Sequence, residues 1–308
     1  MLLTVLLTLS ITLMYSAPLI FAAMGGVITQ RAGVDNIGIE GMMAFGAFAG
    51  TTIGYFTGNP WIGLLASGLA GVLLALIHGL VSITLKGNQT ISGIAINFIG
   101  LALGIFLTRQ IFDGASQTNS VTKKIPKLFD VLGLDKRDSA ALQSGDIDFT
   151  VILALLVVFL LWFILYKTTL GLRIRACGDH PAAADTLGVN VTHLRYACVM
   201  ASGFLAGVGG GAMTLAVISN FTPTVISGQG FIALAAVIFG NWKPIGAALA
   251  CLLFGFAQAL TVLLSNSFLP SSILAMIPYA LTLIVLVLFV GRAEPPRAVG
   301  QPYFKGQA

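Results

Sequence analysis

The sequence is dominated by long apolar segments that are separated by short polar ones. Nine such segments can be counted, and most of them approach the roughly 20 residues that an α-helix needs to cross the hydrocarbon core of a bilayer. They are Leu2–Ile28, Glu40–Phe56, Trp61–Leu85, Ile91–Phe112, Phe149–Tyr166, Tyr196–Ile218, Gln229–Gly240, Ile245–Leu264 and Ser272–Val290. The pattern predicts an all-α protein that crosses a membrane about nine times.

The composition supports a lipid environment and argues against other classes. Only 9% of the 308 residues are charged, whereas a soluble domain carries about 25%. The net charge of +5 comes from basic residues scattered singly between apolar runs, so it does not predict nucleic-acid binding. Three separated cysteines, Cys177, Cys198 and Cys251, predict neither a disulfide framework nor a metal site.

The first apolar segment is predicted to be a retained transmembrane helix. A secretory signal peptide begins with a basic region before a short apolar core. This chain is apolar from its second residue, and its first basic residue is Arg31. The seventh segment is shorter than the others and is flanked by glycine, so it is predicted to be a half-helix or a re-entrant segment rather than a full crossing.

The basic residues predict an orientation, because lysine and arginine are enriched in short cytoplasmic loops. With the tail at 292–308 inside and the spans alternating, the loops around Asn59, Asn220 and Asn266 lie outside and contain no lysine or arginine. The segment 113–148 is the exception, since it is placed outside although it contains several basic residues. The predicted arrangement has the N-terminus outside and the C-terminus inside.

Two parts of the sequence repeat the same glycine-rich order. A stretch beginning at Gly25-Gly26 leads to the turn Gly58–Gly63, and a stretch beginning at Gly210-Gly211 leads to Gly240–Gly246. The predicted topology places these two turns on opposite sides of the membrane. We therefore expect one domain made of inverted four-span repeats, about 1–112 and 196–291, around a linking span at 149–167. Inverted repeats with broken helices are typical of transporters, with the pathway at the repeat interface.

The segment Thr168–Arg195 is predicted to be an ordered cytoplasmic loop that a partner binds. Asp179 is expected to cap a short amphipathic helix that starts at Pro181, where proline is tolerated, and ends at Gly188. The alanines between them favour helix, and arginines flank it. The residues predicted to form this docking surface are Arg173, Arg175, Gly178, Asp179, Pro181, Ala182, Ala183 and Gly188.

Three motifs in the chain resemble those of the permease subunits of bacterial ABC importers for branched-chain amino acids, ribose and nucleosides. Arg175-Ala176-Cys177-Gly178, followed by Ala182-Ala183 and Gly188, resembles their ATPase-facing coupling helix. Gln30–Gly41, read as QRAGVDNIGIEG, resembles the start of their second span, although Gln30 and Asp35 depart from the usual residues. The third motif, Gly228–Gly246, resembles a glycine-rich block of the same permeases.

The resemblance implies a bacterial cytoplasmic-membrane location and a set of partners. Such permeases work with two cytoplasmic ATPase subunits, a second permease that is homologous or identical, and an extracellular lipoprotein that delivers the solute. The chain itself has no GxxxxGK[ST] phosphate-binding motif. It is therefore predicted to have no catalytic residue, cofactor or metal, with ATP and Mg²⁺ bound by the partner ATPase. Nucleosides are the favoured solute, while sugars and branched-chain amino acids remain open.

Polar side chains at membrane depth indicate the substrate path, because they are costly there. The predicted path residues are Asn36, Glu40, Asn97, Gln229 and Phe231. Glu40 has an alternative role as a helix-terminal acid that backbone amides satisfy, and the two amides at 97 and 229 have an alternative role in joining helices.

Other classes of membrane protein fit the sequence less well. A transporter driven by an ion gradient should carry carboxylates in the middle of its spans, and Glu40 alone comes near that description at a span end. A channel needs a filter-like segment in a symmetric assembly. A membrane enzyme needs a cluster of histidine, aspartate or cysteine near one bilayer face, and the sequence offers none.

Overall fold

The computed structural model describes residues 2–131, 145–264, 271–289 and 294–305. Within these ranges the regular structure is helical, apart from one isolated bridge between Lys127 and Asp148. The helices are α1 (Leu2–Arg31), α2 (Ile39–Thr57), α3 (Pro60–Gly79), α4 (Gln89–Ile111), α5 (Leu128–Val131), α6 (Phe149–Lys167), α7 (Thr169–Asp179), α8 (Pro181–Thr186), α9 (Val191–Ala212), α10 (Gln229–Phe239), α11 (Pro244–Leu263) and α12 (Ser271–Phe289). Short π-helical turns extend α3 through Leu80–Thr84 and α9 through Met213–Ile218.

Six helices in the described ranges are long and apolar enough to cross a membrane, rather than the nine segments counted in the sequence. They are Leu3–Arg31, Pro60–Thr84, Gln89–Ile111, Phe149–Lys167, Val191–Ile218 and Pro244–Leu263. The segment α10 has 11 residues and spans only about 16 Å at 1.5 Å per residue, as its short apolar run predicted. The sequence segment at α2 forms a helix of 19 residues that is less apolar than these six, and the segment at α12 also forms a helix of 19 residues.

Helices α2 and α9, both largely buried, meet through glycine. A Cβ atom on Gly46 would lie 2.5 Å from the Cα atom of Gly207, and one on Gly210 would overlap the carbonyl oxygen of Met43. Small residues allow such close backbone contacts where lipid supplies no hydrophobic force between helices. The outer helices instead expose large apolar side chains, including Leu65, Leu69, Leu73, Leu155, Leu156, Phe159 and Leu160. Such faces fit lipid or another membrane-embedded chain.

Replacing Gly210 by alanine is expected to destabilise the protein, because the added methyl group meets the Met43 carbonyl with no flexible side chain to move aside. Overpacking of this kind costs about 3 kcal/mol. Gly145→Ala is the matched control, since its Cβ atom would have no neighbour within 4 Å. Thermal melting in detergent should show a clear loss for Gly210→Ala and a change within about 0.5 kcal/mol for the control. Equal melting of the two variants would contradict this packing.

The described part of the segment 113–148 lies against the end of α9. The amide of Val121 donates to the Ser219 carbonyl at 2.9 Å, and the amide of Ile125 donates to the Leu215 carbonyl at 3.0 Å. The side chain of Lys124 donates to the Val217 carbonyl at 3.1 Å. Residues 132–144 of this predicted loop, the predicted loop around Asn266, and residues 292–293 and 306–308 of the predicted tail lie outside the described ranges.

The predicted single helix of the segment 168–195 is in fact two helices, α7 and α8. Helix α7 continues through Gly178 and ends at Asp179. The prediction that Asp179 caps the shorter helix is wrong, because His180 occupies the N-cap position of α8 and makes no side-chain cap bond. Pro181 does begin α8, as predicted. Gly188 follows the helix with φ +83°, a left-handed conformation that favours glycine.

Candidate transport site

The N-termini of α2 and α10 meet at Glu40. Its two carboxylate oxygens accept hydrogen bonds from the amides of Gly228 and Gly230, each at 2.6 Å. These short charge-assisted bonds satisfy amides that helix α10 leaves free at its start. Glu40 is also the second residue of α2, so one carboxylate lies at the positive ends of two helix dipoles. Gly228 has φ +80°, which allows the tight turn that brings its amide to Glu40.

The two helices joined at Glu40 run in opposite directions. Helix α10 runs parallel to α1, because a Cβ atom on Gly26 would contact Val237, and the Arg31 side chain contacts Trp242. Helix α2 runs parallel to α9, because Gly46 lies against Gly207 and Gly50 against Gly211. Helix α1 runs antiparallel to α9, because Gly25 lies against Ser202 and Pro18 against Gly209. Helix α2 is therefore antiparallel to α1. The chain therefore has two helices, α2 and α10, that start at one point and diverge.

Asn97 of α4 closes the same junction from another side. Its side-chain oxygen accepts from the amide of Gly41 at 2.8 Å, and its side-chain nitrogen donates to the Ile37 carbonyl at 3.1 Å. A cavity of about 250 Å³ lies at this junction, and its lining includes Glu40, Asn97, Phe98 and Phe231. Because the carboxylate and the amide bond the backbone, the groups free to contact a solute here are chiefly aromatic and aliphatic.

The remaining predicted path residues lie in different surroundings. Asn36 is completely buried, and its amide donates to the Ser202 hydroxyl at 3.1 Å. Gln229 borders a second cavity, of about 240 Å³, which also borders the turn before α10. The oxygen of its side-chain amide is buried and has no hydrogen-bond partner in the described ranges. The structure thus brings Glu40, Asn97 and Phe231 together and separates Asn36 and Gln229 from them.

The predicted docking surface lies at the far end of α1 from its N-terminus. Gly178 packs directly on the carbonyl of Arg31, where any Cβ atom would overlap the backbone. Arg173 and Asp179 are exposed, and the Arg175 guanidinium lies 5.1 Å from the centre of the Tyr166 ring. On α8, Pro181 and Ala182 are partly exposed and Ala183 is exposed.

Sequence reasoning missed the most exposed apolar residue of this surface, Leu187. Its side chain is 84% exposed immediately after α8, in a polar segment outside the long apolar helices. An exposed leucine in such a place marks a contact site when it is part of a larger apolar surface. The signal in the sequence was a single leucine following the alanine-rich helix.

The chain segment 294–305 packs against this surface. The amide of Ala298 donates to the Gly178 carbonyl at 2.8 Å, and Arg195 donates to the Gln301 carbonyl at 3.2 Å. Tyr303 forms a hydrogen bond with Asp185 of α8. The pKa of the Tyr303 hydroxyl is raised above its usual value, mainly by desolvation and further by this hydrogen bond. Burial likewise raises the pKa of the Cys177 thiol on α7. The tail residues therefore hold α7 and α8 in place.

A continuous set of contacts joins the docking surface to α10. Arg31, whose carbonyl meets Gly178, donates through its side chain to the Trp242 carbonyl at 2.8 Å. The Trp242 indole donates to the side-chain oxygen of Gln30. Trp242 lies three residues after the last residue of α10, so these contacts connect α7 with the helix whose other end holds Glu40.

The family of the chain follows from a match over nearly its whole length. The family model for the permease component of branched-chain amino acid transport systems matches residues 8–289. The chain belongs to this permease family. One relative, the guanosine ABC transporter permease protein NupQ of Bacillus subtilis strain 168, is 45% identical over 96% of both chains. Another, the nucleoside ABC transporter permease protein NupC of Lactococcus lactis subsp. cremoris strain MG1363, is 41% identical, also over 96% of both chains.

A solved structure supports the permease fold. The structure of an ABC transporter in an inward-facing conformation aligns with 91% of this chain and 85% of its own, with a TM-score of 0.52 and 18% identity. At this identity the similarity concerns the fold alone. The family match and the two relatives confirm, at the level of the permease family, the resemblance drawn from the coupling-helix and glycine-rich motifs.

Proposed function

We propose that this permease is the membrane-spanning subunit of an ATP-driven importer that carries nucleosides into a bacterial cell. The observation that carries the proposal is the near full-length similarity to two permeases whose names give guanosine and nucleosides as cargo. The cavity at Glu40 fits this cargo, because the exposed rings of Phe98 and Phe231 border it and aromatic rings stack on a base.

The proposed membrane arrangement has nine embedded segments. The six long apolar helices cross the bilayer, and α2, α10 and α12 complete the set. The opposite directions of α2 and α10, together with their shared start at Glu40, support two inverted repeats at about 1–112 and 196–291. Residues 149–167 form the linking span. Half-helices whose N-termini meet inside a bundle are a transporter feature found at repeat interfaces.

We place the N-terminus outside and the C-terminus in the cytoplasm. One end of the molecule gathers Arg31, Arg195, Lys86 and the segment 294–305, which agrees with the enrichment of basic residues on the cytoplasmic side. The segment 113–148 then lies outside, where the solute-binding lipoprotein would dock.

The proposed source of energy is a partner ATPase that binds the surface formed by α7, α8 and Leu187. This ATPase binds ATP and Mg²⁺, and the permease contributes no catalytic group. Closure of the ATPase would shift α7, and the contacts through Gly178, Arg31 and Trp242 would pass the shift to α10. A second permease, identical or homologous, would pack against the exposed apolar faces.

The cargo can be tested in cells that lack their own nucleoside uptake. The permease is expressed with its ATPase, second permease and binding protein, and uptake of labelled guanosine is measured. Excess unlabelled nucleosides should abolish uptake, whereas glucose and leucine should leave it unchanged. Competition by glucose or by leucine, with none by nucleosides, would replace the proposed cargo with a sugar or a branched-chain amino acid.

A further inference from the structure

Two cavities border the turn that precedes α10, and Ser227 in that turn lines both of them. The first is the cavity at Glu40, lined by α2, α4 and the start of α10. The second, which we call the α11 cavity, is lined by Tyr15, Ser227, Gln229, Gln258, Thr261 and Tyr279 among others. A solute that reaches across Ser227 would touch both cavities.

The two cavities differ in the hydrogen-bonding groups that they leave free. At Glu40, the carboxylate bonds the amides of Gly228 and Gly230, and Asn97 bonds Gly41 and Ile37. These groups are occupied in holding helices together. The side chains that remain there are mostly carbon, which suits the faces of a heterocyclic base.

The α11 cavity, in contrast, is lined by polar side chains that are free to bond a ligand. Within the described part of the chain, the Tyr15 hydroxyl and the Gln258 amide have no hydrogen-bond partner, although both lie on membrane-spanning helices. The Gln229 side-chain oxygen is buried and also without a partner there. A polar group left unpaired at membrane depth costs free energy. The half-buried side chains of Tyr15 and Gln258 line the cavity, and a ligand that bonds them there would remove this cost.

Two further hydroxyl groups line the α11 cavity, and the hydrogen of each is already donated to a backbone carbonyl. The Tyr279 hydroxyl donates to the Ser227 carbonyl at 3.0 Å, and the Thr261 hydroxyl donates to the Ala257 carbonyl at 3.1 Å. Both hydroxyl oxygens can still accept a hydrogen bond. The cavity therefore presents donors and acceptors side by side, as a ligand carrying several hydroxyl groups requires.

We propose that the α11 cavity binds the sugar hydroxyls of the transported nucleoside through Gln258 and Tyr15. The amide of Gln258 can donate to one hydroxyl and accept from its neighbour, and the Tyr15 hydroxyl can do either. The base then lies across Ser227, between Phe98 and Phe231. This inference rests on the proposed nucleoside cargo and adds to it the part of the site that recognises the sugar.

The test compares guanosine with 2′,3′-dideoxyguanosine, which keeps the base but lacks two sugar hydroxyls. The complete importer is placed in lipid vesicles, and each cargo is supplied already bound to saturating solute-binding protein. Wild type should carry guanosine faster than the analogue. Gln258→Leu should slow guanosine about tenfold, the effect of one lost hydrogen bond to a buried polar group, while the analogue changes less than about twofold. Tyr15→Phe should also slow guanosine more than the analogue, but by a smaller factor than Gln258→Leu.

Gln110→Leu is the matched control, because it removes an exposed amide near the end of α4 and should alter neither rate. Equal slowing of both cargoes by Gln258→Leu and by Tyr15→Phe, or no slowing of either, would overturn the proposal while leaving the nucleoside cargo intact. Failure of wild type to carry guanosine would instead contradict the proposed function, and with it the assignment of the cavity to a sugar.

Discussion

Replacing Leu187 by aspartate is expected to abolish co-purification of the permease with its ATPase subunit in detergent. The side chain is 84% exposed in the isolated chain, and burying a leucine contributes about 2 kcal/mol. Aspartate removes that contribution and adds the cost of desolvating a carboxylate. A combined loss of about 3 kcal/mol lowers affinity about 100-fold. Because Leu187 packs against little of its own chain, the variant should melt like wild type.

Two matched variants separate docking from general surface effects. Leu187→Met keeps an apolar side chain of similar volume and should retain the ATPase. Val131→Asp introduces the same charge at a residue that is 57% exposed at the opposite end of the molecule, and should also retain it. Wild-type amounts of ATPase recovered with Leu187→Asp would contradict the proposed docking surface.

Replacing Glu40 by alanine is expected to destabilise the permease strongly and to abolish uptake. The change removes two charge-assisted hydrogen bonds of 2.6 Å and leaves the amides of Gly228 and Gly230 without their acceptor. Hydrogen bonds to charged groups contribute about 1.5 to 3 kcal/mol each, so the expected loss is about 3 to 6 kcal/mol. Thermal melting in detergent and nucleoside uptake in vesicles measure the two effects.

Two further variants define the role of Glu40. Glu40→Gln keeps one acceptor oxygen and should melt between wild type and the alanine variant. Glu294→Ala removes an exposed carboxylate and should change neither melting nor uptake. If Glu40→Ala melted like wild type yet lost uptake, the carboxylate would act on the solute rather than join α2 to α10.

The membrane-spanning character and the short α10 could be predicted because they depend on local sequence. A long apolar run of itself indicates a lipid environment. The glycines at 228 and 240 mark the two ends of the short helix α10. The boundary of α7 could not be predicted in the same way. Gly178 has a poor intrinsic preference for helix, yet α7 continues through it because the residue lies on the backbone of Arg31. That contact joins parts of the chain far apart in sequence.

The candidate site was predicted in part. Glu40 was identified as a polar residue at membrane depth, with backbone amides as possible partners. Its partners belong to α10, 188 and 190 residues away, and no local pattern reveals such a pairing. Tyr15 and Gln258 were missed, although an isolated amide in the apolar run of α11 is itself a signal. Their shared cavity depends on how α1, α10, α11 and α12 pack.

The most direct test of the account is uptake of labelled guanosine by lipid vesicles that contain the permease, its second permease and the ATPase. Loaded solute-binding protein is supplied outside, and ATP is enclosed inside. We predict accumulation that requires the enclosed ATP, stops with Leu187→Asp, and continues when proton and sodium gradients are dissipated. Accumulation that follows an ion gradient without the ATPase would contradict the account and identify the chain as a gradient-driven carrier.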